Sequence, residues 1–198
     1  MPTQLPDAIQ IYQLSITMRD SDPLIWRRVL VASNTTLLRL HDTIQAVMAW
    51  QDNHLHAFEV GEIEYTQPDS DFGYDRGQRS EKPVHLYQIA SVQGAHFTYL
   101  YDFGDGWEHD VVVENILEPE PGQRYPICEE GGGARPPEDV GGIWNYRDEF
   151  LPAIRDPRHP EHDSWLTWAG GRFDPEEFDV EAANNRLGRI RRAVAPKV

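Results

Sequence analysis

Cysteine is nearly absent from this chain: Cys128 is the only one in 198 residues. An intrachain disulfide is therefore excluded, which fits a reducing compartment. Long apolar runs are missing as well. No stretch approaches the ~20 consecutive apolar residues that a membrane-spanning helix needs. The opening residues, MPTQLPDAIQ, lack a basic start and an apolar segment, so no export signal is expected. These absences together lead to the expectation of a cytoplasmic protein. Positive charge is scarce: 18 Lys and Arg face 33 Asp and Glu, for a formal net charge of -15. A surface this acidic repels phosphate backbones and anionic lipid. It disfavours nucleic acid and membranes as partners and favours a basic protein or a cation. Nucleophile and phosphate motifs are also missing. There is no G-x-S-x-G element, and EEGGGARPP has glycines without a following Lys-Ser/Thr. Cys128 stands beside Glu129 and Glu130, neighbours that raise a thiol pKa rather than activate it.

Apolar and aromatic residues are well supplied. At 39% hydrophobic residues, with six Trp, eight Tyr and seven Phe, the chain can bury one substantial core. We expect a flexible start over 1–8, a single domain over 9–193, and a short tail over 194–198. IQIYQLSITM and LIWRRVLVAS flank the turn DSDP and read as a strand hairpin. TTLLRLHDTIQAVMAWQ carries Leu37, Leu40, Ile44, Val47 and Met48 at helical spacing, with Thr35 or Thr36 as its cap. His41 lies beside this stripe and reads as a packed, hydrogen-bonded histidine. HLHAFEVGEIEYTQ reads as two short strands about Gly61, followed by a polar loop from Pro68 to Pro83. VHLYQIASV adds a short helical turn. The Pro/Gly-rich connection over 118–142 is too long for a plain link, so it is either functional or mobile.

The last third reads as helical. IWNYRDEFLPAIRD sets Ile143, Tyr146, Phe150 and Ile154 on one side, with a kink expected near Pro152. HPEHDSWLTWAG packs Trp165 and Trp168, DPEEF opens like a helix, and DVEAANNRLGRI follows with Asp179 as its cap. Arg186 to Arg192, in RLGRIRR, read as cations complementing a helix end rather than as a DNA-binding tail. Strands early and helices late predict an α+β fold: a mostly antiparallel sheet of hairpins covered by helices, with a helical C-terminal third.

The densest chemistry is YDFGDGWEHD, Tyr101 to Asp110. A three-residue loop, Gly104-Asp105-Gly106, would pair Phe103 with Trp107 and Tyr101 with His109, and so put both apolar sets on one face. His109 then belongs to the core. Asp102 falls opposite Glu108, with Asp110 next along, and like charges opposite each other destabilise a strand pair. A solvent-facing acidic surface of Asp102, Asp105, Glu108 and Asp110, extended by Glu138 and Asp139 of PPED, is the leading binding surface. A second candidate starts from HLH. His54 and His56, two apart on a strand, share a face and can chelate a divalent metal, with Asp102 as a third ligand. In that alternative the chain is a metal-dependent hydrolase. A metal-bound water is its nucleophile and Asp105 or Glu138 the base. No catalytic residue is assigned.

YDFGDGWEH, PPEDVGG, FLPAIRDPRHPEH and GGRFDPEEFDVEAANNRL, in this order, resemble the plasmid pRiA-type ORF-3-like family, as does the early LIWRRVLVASNTTLLRLHDTIQAVMAWQDNHLHAF. The resemblance covers about residues 10–190. It implies one domain and a plasmid or mobile-element setting, and it carries no established reaction. Members often hold further cysteines in the segment that here reads CEEGGGARPPEDVGG. Arg135 and Val140 stand at such positions in this chain, so a thiolate zinc cluster is not expected. The resolvase label carried by some members lacks a basic, phosphate-binding serine site here.

Overall fold

The computed structural model describes residues 8–67, 77–190 and 193–194. Most of the expected flexible start and tail, much of the polar loop before Pro83, and Arg191 and Arg192 lie outside them. Alternating apolar residues build the strands. In β1 (Ile11–Met18), Tyr12, Leu14, Ile16 and Met18 are buried, while Gln13, Ser15 and Thr17 between them are only partly so. The same alternation buries Arg27, Val29 and Val31 in β2 (Trp26–Ala32). The remaining strands are β3 (His56–Val60), β4 (Ile63–Thr66), β5 (Gln78–Ser80), β6 (His96–Tyr101), β7 (Trp107–Leu117), β8 (Arg124–Tyr125), β9 (Ile127–Gly132) and β10 (Ala193–Val194).

These strands correct the expected fold. There is one mixed, eight-stranded sheet in the order β5-β4-β3-β6-β7-β1-β2-β9, with β4 and β5 parallel. Among the described residues, 31% are strand and 26% helix. The sheet is not a row of hairpins: β1 pairs with β7 inside it, and β2 with β9 at its edge, joining segments far apart in sequence. Nor is the last third a helical layer. Its helices are α3 (Gly142–Asn145), α4 (Leu151–Arg155), α5 (His162–Trp168) and α6 (Val180–Leu187), none longer than eight residues, and DPEEF makes only a turn. Proline and glycine account for this. Between α3 and α4 the chain widens into a π-helical turn, Tyr146–Phe150, and the Leu151 N–H reaches back to the Tyr146 carbonyl. Pro152, next in line, has no N–H to restore the regular ladder. The 118–142 connection is more than a plain link: it supplies β8 and β9, the latter an edge strand of the sheet.

The longest helix, α1 (Leu37–Met48), starts at Thr36, whose hydroxyl accepts the Arg39 N–H, and ends at Ala49 in the left-handed region. It buries Leu37, Leu40, Ile44, Val47 and Met48 in the main core, as its spacing requires. The earlier helix of the chain's middle, α2 (Leu86–Ile89), is a single turn. At the β9 edge, α6 stands beside the sheet. The Asn184 side chain accepts the Cys128 N–H at 3.0 Å and donates to the Cys128 carbonyl at 2.8 Å. Cys128 is buried on β9, and that burial pushes its thiol up to about 11.

Arg27 crosses between the sheet and α1. It is 2% exposed and donates to the carbonyls of Val47 (3.0 Å), Trp26 (2.7 Å), Gly132 (2.7 Å) and Gly133 (3.0 Å). Its guanidinium lies 4.0 Å over the Phe178 ring. Burial lowers its pKa to about 10, still far above neutrality, so it stays charged. Replacing it leaves several buried carbonyls without a donor, each a loss of about 1–3 kcal/mol. Arg27→Met is expected to lose roughly 3 kcal/mol or more of stability. Urea unfolding checks this through a lowered midpoint at unchanged slope.

Candidate functional site

The β6–β7 hairpin decides where the acidic residues go. Tyr101 pairs with Trp107, Tyr99 with His109, and Leu100 with Glu108. The connection is thus five residues, Asp102 to Gly106, and not the expected three. The apolar face is kept, but the register moves by two, and Phe103 is expelled to 47% exposure. The cause is Asp102. It takes a left-handed conformation (φ 58), and its Oδ1 accepts the N–H groups of Gly104 (2.9 Å) and Asp105 (3.3 Å). Asp and Asn tolerate this conformation because their side chains bond the backbone locally. Asp102 therefore does not face Glu108.

Each acid of the expected binding surface has a partner, some of them shared. Arg19 reaches across the strands from the end of β1. It donates to Asp110 at 2.6 and 2.9 Å, to Glu108, and to the Thr98 hydroxyl at 2.9 Å. One guanidinium thus bridges Glu108 and Asp110, two of the acids whose crowding the sequence raises as a problem, and offsets one of their two charges. Asp105 accepts the Gly141 N–H at 3.1 Å. Gly142, in the left-handed region, packs so closely that a Cβ there would sit 2.6 Å from the Asp105 carbonyl oxygen. That close approach seats the 136–142 loop on the hairpin tip.

Three loops meet at His54: the segment after α1, the hairpin tip, and the loop after β9. His54 Nδ1 lies 3.5 Å from Asp102 Oδ2. Its Nε2 lies 3.2 Å from Asp139 Oδ1 and 3.7 Å from Glu138 Oε2. Donor atoms of His54, Asp102 and Asp139 all fall within 4.8 Å of one another. The His54 ring stands edge-on to Tyr101 at 5.8 Å. Glu138 is fixed by the Gln51 N–H at 2.8 Å and the Tyr101 hydroxyl at 3.4 Å. Tyr101 itself accepts the Asn53 N–H at 3.1 Å, and burial pushes its pKa up to about 12, so the hydroxyl keeps its proton. Asp139 is the open side, with its side chain 71% exposed against 27% for His54.

His56 does not join this group. The strand begins at His56, so His54 precedes it and the two imidazoles diverge. His56 turns into the core, where its ring stacks on His41 at 3.5 Å and 8°. His56 Nε2 bonds Glu81 at 2.9 Å, and Glu81 is fully buried, with its other oxygen unpartnered among the described residues. His41 bonds the Tyr99 hydroxyl at 2.8 Å and Asp52 at 2.9 Å, and Gln45 also donates to that hydroxyl at 2.9 Å. Donor atoms of His41, Asp52 and His56 also lie within 4.8 Å of one another. Parallel stacked rings, however, aim their in-plane lone pairs alongside each other, not at a common ion. We read this group as a core network. His41 is where the sequence puts it, a packed histidine on the α1 stripe. Glu81 and Asp52 carry no sequence signal, because both stand in segments that read as loop.

A mixed sheet carrying a histidine–carboxylate cluster on converging loops defines the class. The description "Plasmid pRiA4b ORF-3-like protein" matches residues 10–182, and the chain belongs to that family. It is 38% identical over 175 residues to the uncharacterized protein y4hQ of Sinorhizobium fredii, covering 88% of this chain and 86% of that protein. Among solved structures it is similar to the protein of unknown function MM3350 from Methanosarcina mazei Go1. That likeness has a TM-score of 0.76 and 36% identity, and covers 88% of this chain and 97% of the other. Among the described residues no helix is long and apolar enough to cross a membrane.

The buried histidines set a pH dependence. Burial, then the adjacent His56 ring, pushes His41 down to about 3; burial pushes His109 down to about 4. Unfolded histidines titrate near ~6.5. Between these values the unfolded chain binds more protons than the native one, so stability falls as pH drops below ~6.5 and levels above it. Urea midpoints at neutral and at mildly acidic pH are expected to differ in the wild type. The difference should shrink in His109→Gln, and an undiminished difference would remove His109 from the account.

Proposed function

We propose that this protein is an acidic cation-binding module, and that a divalent metal is held by His54, Asp102 and Asp139. The single supporting observation is that donor atoms of these three residues all fall within 4.8 Å of one another. Ligands about 2.1 Å from a common tetrahedral ion stand roughly 3.4 Å apart, so a cluster this tight needs only small side-chain movements to close on one metal. Glu138, 3.7 Å from His54 Nε2 and anchored by the Gln51 N–H and the Tyr101 hydroxyl, stands beside the ligands. The exposed Asp139 side leaves room for water or a ligand group in the remaining positions. Nitrogen and oxygen donors favour Zn²⁺ over Mn²⁺. A cation suits this surface better than a basic protein does, because Glu108 and Asp110 are already paired with Arg19.

A hydrolase reading draws support from Glu138. Its carboxylate is anchored by the Gln51 N–H and Tyr101, which leaves it placed to serve as base toward a metal-bound water, with Asp102 and Asp139 in the ligand roles. The test starts with binding. Titration calorimetry on protein purified without a histidine tag should give one Zn²⁺ site and weaker Mn²⁺ binding. His54→Ala should abolish it, and Asp102→Asn should weaken it by at least the roughly 10- to 100-fold that loss of an outer-shell partner costs. Equal Zn²⁺ binding by wild type and His54→Ala would refute the site.

A further inference from the structure

Beside the C-terminal end of α1, a cavity of about 360 Å³ opens between that end, the segment after β9, and α6 with the loop before it. Its walls are apolar at Met48, Ala134, Phe173 and Phe178, and four arginines reach it: Arg27, Arg135, Arg172 and Arg186. A cavity of this size accommodates a small organic molecule.

The charge in it is unusual for this chain. Acids outnumber bases by 33 to 18 in the sequence. Yet Arg27, Arg135 and Arg186 form no ion pair with a carboxylate among the described residues; their hydrogen bonds go to backbone carbonyls. Arg135 donates to Ala49 (2.7 Å) and Pro136 (2.9 Å), and Arg186 donates through Nε to Ala46 (2.7 Å). The terminal nitrogens of Arg186 have no hydrogen-bond partner among the described residues. The acids at the rim form their hydrogen bonds with groups other than these three arginines. Glu177 pairs with Arg172 at 3.2 Å, Asp179 caps α6 through Ala182 at 2.9 Å, and Asp174 accepts the Glu176 N–H at 3.1 Å. Arg186 also bears on the other two guanidiniums. Burial is the first cause lowering Arg27 and Arg135, and Arg186 adds repulsion to both. Arg186 in turn is lowered by burial, with Asp179 opposing. Mutual repulsion among forked donors, walled by apolar groups, is relieved by an anion that the forks can grip.

We propose that this cavity binds a small organic anion, a carboxylate or phosphate carried on an apolar body, with Arg186 and Arg135 gripping the anionic group and Phe173 and Phe178 covering the body. Arg27 is the structural floor of the site, since its donors are already committed. The chain's net charge confines the ligand to small anions, because a polyanion would meet the acidic rim and surface. The RLGRIRR stretch then has a use at its first residue that differs from a nucleic-acid tail.

The probes are phenyl phosphate, benzoate and the neutral benzyl alcohol, each at millimolar concentration against the full chain. Saturation-transfer NMR and thermal shift are read together. Phenyl phosphate and benzoate should bind and raise the melting temperature, and benzyl alcohol should do neither. Arg186→Gln should weaken the phosphate by about tenfold to a hundredfold, the effect of losing charge-assisted hydrogen bonds. Arg135→Gln is the second variant should the first lose its fold. Equal effects of the charged and neutral probes, or none from any of them, overturn the proposal in the wild type alone. Undiminished binding by a folded Arg186→Gln or Arg135→Gln overturns it as well. His54→Ala should leave anion binding unchanged, which separates this result from that of the metal site.

Discussion

A buried guanidinium organises this molecule. Arg27 rises from β2 and takes carbonyls at the end of α1 and at the end of β9. Those are the two points from which the loops around His54 depart: one runs from Ala49 to His54, the other from Gly133 to Asp139. A carboxylate partner would have satisfied the charge with one neighbour. Backbone carbonyls satisfy it with several, and each is fixed in place by the same group. The arrangement ties a helix, a strand pair and two loops to one side chain, and the hairpin tip then locks onto the second loop through Asp105 and Gly142.

The acidic residues sort by what neutralises them. Glu108 and Asp110 share Arg19. Glu114 and Glu130 share Arg28. Asp102 and Asp179 accept backbone N–H groups at a turn and a helix start. Two clusters instead gather one sign of charge: the carboxylates around His54 and, opposite in sign, the arginines around the cavity beside α6. The two candidate sites are places where several like charges converge with little ion pairing to balance them. That is an electrostatic criterion, independent of motif, and in this chain it points to two sites of opposite preference a short way apart.

Much of the local structure is legible in the sequence. The stripe of Leu37, Leu40, Ile44, Val47 and Met48 gives α1, and Thr36 gives its start. Alternation gives β1, β2 and the core face of β7. The role of His41 as a packed histidine also follows from its place beside the stripe. The sheet as a whole is not legible. Whether β7 lies beside β1, and whether a Pro/Gly-rich segment supplies β9, depends on pairings between distant residues that no local pattern records. Register at the hairpin is lost for a smaller reason: Asp102 reads as a strand residue until its side chain is seen capping the turn. HLH misleads in the same way, since its shared face holds only if the strand begins at His54. Around the metal cluster, Glu138 and Asp139 are visible as acids but not as neighbours of His54, because that contact depends on where β9 ends.

One small contact at the sheet edge has a wider consequence. Asn184 offers Cys128 the same acceptor and donor that an adjoining strand would, from a side chain instead of a backbone. The ladder that starts at β1 is thus closed by an amide that has nothing further to pass on. An edge strand with free N–H and C=O groups is a template for another chain. Here the template is answered near the start of β9 by a helix, and followed by Glu129 and Glu130, which are exposed. A second copy approaching this edge would meet like charge and an occupied hydrogen-bonding site. The sheet stops at this edge because α6 imitates its next strand.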